Sequence, residues 1–186
     1  MSPEREIRIA VVGAGDNTRR RHLPGLQSIF GVHVTGVVNQ SEASSRRVAL
    51  EFGIRRIYRD WAEAVSAPDN DAVVIGTWPN LHARVAIAAL EAGKHVLCEA
   101  RMARDAAEAR AMLAAAQRRP NLIAQLVPAP FSLGVDATVQ RLIAEGYLGE
   151  ILAVEHHGPA AFPDTSGALT WRKDRDLSGF NTAALG

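Results

Sequence analysis

A doubly wound α/β architecture, with helices on both faces of a parallel sheet, is the expectation for this chain. Short β-rich apolar runs alternate along it with stretches of helical period. The runs are apolar on both faces rather than alternating, as strands covered on each side must be. A glycine-rich turn follows the first run, where an open sheet of this kind binds its ligands.

In order, residues 7–12 read as the first strand, 32–38 as the second, 72–75 as a third, 95–98 as a fourth and 122–127 as a fifth. Helices fall between them with their own start signals. Asp60 with Glu63 forms a capping box, and Pro79 or Asn80 can open a helix over 81–92 that closes at Gly93. Strand, helix and parallel strand joined by short links give right-handed crossovers, with ligands beyond the carboxyl ends of the strands.

Past Val127 the texture changes. "PAPFSLG" is a Pro/Gly link, residues 135–145 form an amphipathic helix, and 151–157 read as a further strand without an obvious partner. The final "LSGFNTAALG" looks like a helix entered and not completed. The expected division is a dinucleotide-binding domain over 1–127 and, over 128–186, a linker helix with the incomplete beginning of a second α/β domain. The chain then stops inside a larger architecture, or another copy completes it by pairing with the 151–157 strand in a homo-oligomer.

Composition narrows the class. The 186 residues are 47% hydrophobic and 22% charged, as in a soluble globular protein, and the formal net charge of +1 gives no reason to expect nucleic acid. Cys98 has no internal partner, "MSPEREIRIA" is charged where a signal peptide is apolar, and no apolar run is long enough to span a bilayer. A cytoplasmic protein, not a membrane one, is expected. His156 and His157 are adjacent, so on a strand they face opposite sides and make no metal pair; no metal is expected.

In "VVGAGDNTRRRHLPG", Gly13 and Gly15 fill the first two places of a G-x-G-x-x-G fingerprint and Thr18 the third. The first glycine allows the tight turn, the second lets a pyrophosphate approach the backbone, and the third serves helix-to-strand packing. Gly13, Gly15, Asp16, Asn17 and Thr18 are therefore the candidate pyrophosphate residues, with Arg19 to Arg21 adding positive field. Any α/β protein can turn on glycine here; dinucleotide binding requires the bend's amides to be free and the gap not to be closed by Thr18. At the end of the second strand stands Asn39, not the acid that takes a ribose in NAD binders. An amide does not repel a 2'-phosphate, and Ser41 with Arg46 or Arg47 can receive one. NAD(P) is the expected cofactor and NADP the favoured form, although the arginines equally suit a solvated helix face.

Beyond the third and fourth strands, Thr77, Trp78, Pro79, Asn80, His82 and Glu99 converge on one crevice as candidates for the nicotinamide side. Singly, Thr77 and Asn80 are also plausible caps and His82 a partly exposed helix residue. Cys98 on a buried strand reads as a small hydrophobe rather than a nucleophile.

The G-x-G turn, "TWPNLH" and "AGKHVLCE" together resemble the Gfo/Idh/MocA oxidoreductases, the family of glucose-fructose oxidoreductase and inositol dehydrogenase, over nearly all of the chain. "WRKDRDLSG" resembles the start of that family's second domain. The resemblance implies a Rossmann domain followed by a C-terminal α/β domain that binds a sugar-like small molecule and often builds the oligomer interface. It also implies a lysine after the fourth strand, in Glu-Lys-Pro, which orients cofactor and substrate for proton transfer. Here the residues are Glu99, Ala100 and Arg101. Lys94 and Lys173 are the chain's lysines, and neither stands where it could substitute. Arg101 can hold an anionic substrate or a phosphate but is a poor proton carrier, with a pKa above ~12. Glu99 and Arg101 are the catalytic candidates, and the family's second acid/base histidine lies in the domain beyond Gly186.

Three readings stay open. One is an NAD(P)-dependent oxidoreductase passing hydride between nicotinamide and a sugar- or polyol-like hydroxyl. Another is a non-catalytic, cofactor-holding relative acting as a binding or oligomerising module. The last is a truncated piece of the ordinary enzyme.

Overall fold

The computed structural model describes residues 6–128, 134–155 and 170–179. Its centre is a parallel sheet of six strands in the order β3-β2-β1-β4-β5-β6. The strands are β1 Ile7–Val12, β2 Val32–Val38, β3 Arg56–Ile57, β4 Ala72–Ile75, β5 His95–Cys98 and β6 Ala124–Leu126. Every pairing is parallel, and the order reverses between β1 and β4, which opens the crevice above their carboxyl ends. The β3 edge strand is additional to the five expected, and the last strand is shorter than 122–127.

Side chains alternate across the sheet. Ala10, Val12, Val73, Ile75, Val96 and Cys98 face one way, onto α3 (Trp61–Ser66), α4 (Pro79–Glu91) and α5 (Ala106–Gln117). Ile9, Val11, Val37 and Val74 face the other way, onto α1 (Leu23–Gln27) and α2 (Glu42–Phe52). Apolar residues on both sides of the four longer strands, β1, β2, β4 and β5, thus supply two cores. Each fully buried aliphatic side chain contributes roughly 1.5–3 kcal/mol.

Local signals explain where the helices begin and end. The Asp60 carboxylate accepts the Glu63 amide at 2.8 Å, as the capping pattern predicts, while the Glu63 carboxylate reaches one residue past the N-cap to accept the Arg59 amide at 2.8 Å. Trp78 is the N-cap of α4, with Pro79 at its first position, and Gly93 turns away with φ +77°. At the amino end of β5 the nearly buried Lys94 ammonium donates to the carbonyls of Ala67 at 2.9 Å and Asn70 at 2.6 Å, tying β5 to the turn after α3.

The amphipathic helix expected over 135–145 is α6, Asp136–Ala144, and none of its residues is buried. Of the strand expected over 151–157, the described residues 151–155 pair with none of the six strands. His156 and His157 lie outside the described residues, as does the end of "LSGFNTAALG". A 3-10 turn at Trp171–Lys173 leads into α7, Arg175–Ser178. This segment packs back on the loop before α5: a Cβ on Gly179 would lie 2.2 Å from the Arg104 carbonyl oxygen. No helix of the described residues is long and apolar enough to cross a membrane.

Candidate functional site

Above the carboxyl ends of β1, β2 and β4 lies a cavity of about 570 Å³, within the ~300–1,000 Å³ range of small-molecule sites. Gly13 and Gly15 border it, for different reasons. Gly13 has φ +85°, and a Cβ there would lie 2.6 Å from the Thr77 nitrogen. The fold itself demands that glycine. At Gly15 a Cβ would meet nothing nearer than the Gly76 carbonyl oxygen, at 4.0 Å, so no packing among the described residues explains its bare Cα.

Thr18 does not close this gap. It lies beneath the bend, 1% exposed, with its hydroxyl donating to the Gly13 carbonyl at 3.2 Å. The room that the fingerprint's third glycine provides comes from the opposite side: a Cβ on Gly76 would lie 2.1 Å from the Thr18 hydroxyl. The first helix opens through a π turn, Thr18–His22, before α1. Asp16 faces outward to Arg20 at 2.9 Å.

Asn39 borders the cavity, but its polar atoms serve the protein. Its Oδ1 accepts the Ala14 amide at 2.6 Å, and its Nδ2 donates to the Ser44 hydroxyl at 3.0 Å. One amide of the bend is therefore already taken. Ser41 caps α2, accepting the Ser44 amide at 3.3 Å, and Arg46 pairs with Glu42 on the exposed face of that helix. Neither borders the cavity.

Across the crevice, Thr77, Trp78 and Asn80 line the wall. The Asn80 Oδ1 is buried with no hydrogen-bond partner, an acceptor left for a ligand. Trp78 stacks on Trp171 with ring centroids 6.3 Å apart, and Leu177 of α7 closes the same side. Pro79 is buried in the helix start. His82, rather than being partly exposed, is fully buried: its Nε2 lies 2.9 Å from the Thr77 carbonyl and its Nδ1 2.7 Å from that of Arg101. It braces the two turns and does not reach the cavity.

Glu99 follows β5 and is held tightly. Its carboxylate accepts from Asn17 Nδ2 and from the Ala100 amide at 3.0 Å, and it lies 2.5 Å from His22 Nε2. Glu99 and His22 are each about 15% exposed. The candidates Asn17 and Glu99 thus meet each other, beside the cavity rather than on its lining. Burial, and then the charge of Arg172, lowers the pKa of the Arg101 guanidinium. Burial, reinforced by the Glu99 charge, pushes the Cys98 thiol up to about 12, in keeping with a core residue.

Several residues escaped the sequence reading. Ser44, Arg59, Asp60 and Trp61 line the cavity on the side of α2 and β3. The last three follow β3, so recognising that strand would have brought them to the crevice edge. His22 came unannounced, since nothing in "TRRRH" marks a π turn.

These residues fit a dinucleotide: a bare Cα at the bend, an orphaned acceptor at Asn80, and a cavity that runs from Ser44 and Arg59 across to Trp78. Comparison with known proteins agrees. Residues 7–125 match the family model described as an oxidoreductase family with an NAD-binding Rossmann fold. The chain is 36% identical to 4-carboxy-2-hydroxymuconate-6-semialdehyde dehydrogenase of a Sphingobium species, over 60% of this chain and 35% of that one. It is 34% identical to inositol 2-dehydrogenase of Rhodococcus erythropolis, over 86% of this chain and 47% of the relative. Among solved structures, a mutant 3-ketoreductase from Actinomadura kijaniata in complex with TDP-benzene and NADP superposes with a TM-score of 0.63 and 31% identity, covering 78% of this chain and 46% of that one. The chain therefore spans between a third and a half of the length of these relatives. Fold, bend and family match converge: this chain belongs to the Gfo/Idh/MocA oxidoreductases and carries their NAD-binding Rossmann fold.

Proposed function

We propose that the chain is the cofactor-holding part of an NAD(P)-dependent oxidoreductase acting on a hydroxyl-bearing carbon of a sugar- or polyol-like substrate. Bound NAD(P) would supply or accept the hydride, and the protein's part is to place it. The observation that carries the reading is Gly15, a glycine on the cavity wall that the chain's own packing does not require.

In this reading Gly13 and Gly15 receive the pyrophosphate, Ser44, Arg59 and Asn39 border the adenosine ribose, and Thr77, Trp78 and Asn80 wall the nicotinamide. Glu99 fixes the first helix against the end of β5 through Asn17 and His22, keeping both turns in place. NADP is the form we favour. No carboxylate stands at the end of β2 to repel a 2'-phosphate. The Asp60 oxygens are engaged by the Glu63 amide and Arg59 Nε, and the Ser44 hydroxyl and the Arg59 guanidinium stand on that side. We place the domain boundary after Val127, with 128–186 starting the substrate domain, and the protein in the cytoplasm, where a lone buried thiol persists. The relatives' printed names, an inositol dehydrogenase and a ketoreductase bound to a TDP ligand, support the substrate class.

Titration of the full chain with NADPH and with NADH, followed by nicotinamide fluorescence and by calorimetry, tests the proposal. Saturable binding with NADPH the tighter ligand is expected. Absence of binding by both refutes it.

A further inference from the structure

In the resembled Glu-Lys-Pro pattern the lysine's place is taken here by Ala100, and Arg101 stands one residue further on, in positive surroundings. Arg101 Nε is buried and has no hydrogen-bond partner, and among the described residues no carboxylate pairs with this guanidinium. The nearest acid in sequence, Glu99, is already engaged by Asn17, His22 and the Ala100 amide. A second guanidinium stands close by. Arg172 lies over the Trp171 ring, 4.4 Å from its centroid, and Trp171 stacks on Trp78 of the cavity wall. Its charge acts on Arg101, which the bond from His82 to the Arg101 carbonyl holds beside the 77–78 turn.

An unpaired buried guanidinium donor is costly, and a second like charge adds to the cost. The arrangement makes sense when an anion completes it. A guanidinium cannot shuttle protons near neutral pH, but it forks onto carboxylate or phosphate oxygens in two parallel hydrogen bonds. We infer that Arg101, assisted by Arg172, receives an anionic group, a carboxylate or a phosphate, carried by the substrate beside the nicotinamide end of the cavity. The inference rests on the cofactor reading for its location, and it narrows the substrate from sugar-like to acidic sugar-like.

The full chain, with and without saturating NADPH, is titrated calorimetrically with D-gluconate, glucose 6-phosphate and neutral sorbitol as probes. The NADPH-loaded chain should bind one of the two anions at least about tenfold more tightly than sorbitol, the scale of a charge-assisted hydrogen bond. Which anion it is separates carboxylate from phosphate recognition. Arg101→Gln should abolish the difference, Arg101→Lys should retain part of it, and neither should change NADPH affinity. The wild-type preference should also fade with added salt, a readout that needs no variant.

Equal binding of anions and sorbitol, absence of anion binding, or an equal loss for all probes in Arg101→Gln overturns the inference. A loss of NADPH affinity in that variant, with probe binding unchanged, assigns the guanidinium to the cofactor phosphates and equally overturns it. Failure of NADPH to bind at all counts against the proposed function instead, and the titration without NADPH then decides the anion site by itself.

Discussion

Substituting the two bend glycines separates what the fold needs from what a ligand needs. In Gly15→Ala the new methyl would stand 4.0 Å from its nearest neighbour, an ordinary contact, so the native state accepts it. Replacing glycine where the backbone permits it stabilises by about 0.4–1 kcal/mol through the unfolded chain. For a chain of this size that raises Tm by roughly 1–4 °C. The same methyl projects about 1.5 Å into the cavity, where the pyrophosphate must approach. NADPH affinity should therefore fall by at least about tenfold, equivalent to ~1.4 kcal/mol.

Gly13→Ala behaves in the opposite way. Its methyl would lie 2.6 Å from the Thr77 nitrogen and 2.8 Å from the Gly76 carbonyl carbon, backbone atoms that cannot rotate aside. Overpacking of about 1–3 kcal/mol adds to about 1–2 kcal/mol for the positive φ, a total of roughly 2–5 kcal/mol. Tm should fall by roughly 4–20 °C. Thermal unfolding followed by circular dichroism, beside fluorescence titration with NADPH, reads both quantities. Unchanged NADPH affinity in Gly15→Ala, or unfolding of that variant alongside Gly13→Ala, would refute the reasoning.

Three other outcomes follow from the packing. Lys94→Met leaves the carbonyls of Ala67 and Asn70 without their donor, and should lower stability by about 1–3 kcal/mol in denaturant titration while NADPH affinity stays unchanged. Glu99→Ala strips Asn17, His22 and the Ala100 amide of their acceptor. It should lower Tm by roughly 4–8 °C, taking about 2 kcal/mol for the loss, and should weaken NADPH binding as well, because the first helix loses its tether. The Cys98 thiol, raised from the ordinary 9.0 to about 12, contributes stability that is complete below pH 9.0 and is lost as pH rises toward about 12, since the unfolded chain releases that proton first. Wild-type stability should therefore fall more steeply than that of Cys98→Ala above pH 9.0, and iodoacetamide at pH 8 should label the thiol only after unfolding.

The four longer parallel strands were legible because each runs apolar on both faces, and the capping box and Gly93 marked helix ends by side-chain chemistry that is local. β3 was not legible: two residues carry no periodicity, and Arg56–Ile57 becomes a strand only because β2 offers it an edge. With it went Arg59, Asp60 and Trp61, whose place on the cavity depends on that edge. Over 151–155 an apolar pattern by itself makes no strand among the described residues, since a strand needs a paired neighbour. At the site, Gly13 and Gly15 were readable from their spacing, whereas the roles of Asn39 and His82 were not. Their polar atoms are consumed by Ala14, Ser44, Thr77 and Arg101, partners that only tertiary folding brings near.

The contact between Thr18 and Gly76 places the bend's missing glycine on the other side of the joint. Thr18 has room for its side chain only while position 76 is bare, so the two sites are linked although they stand far apart in sequence. Enlarging position 76 should fail even in a chain whose position 18 has been shaved back, because the new Cβ would also lie 2.4 Å from the Gly13 carbonyl oxygen. A contiguous motif search scores half of this joint and misses its complement.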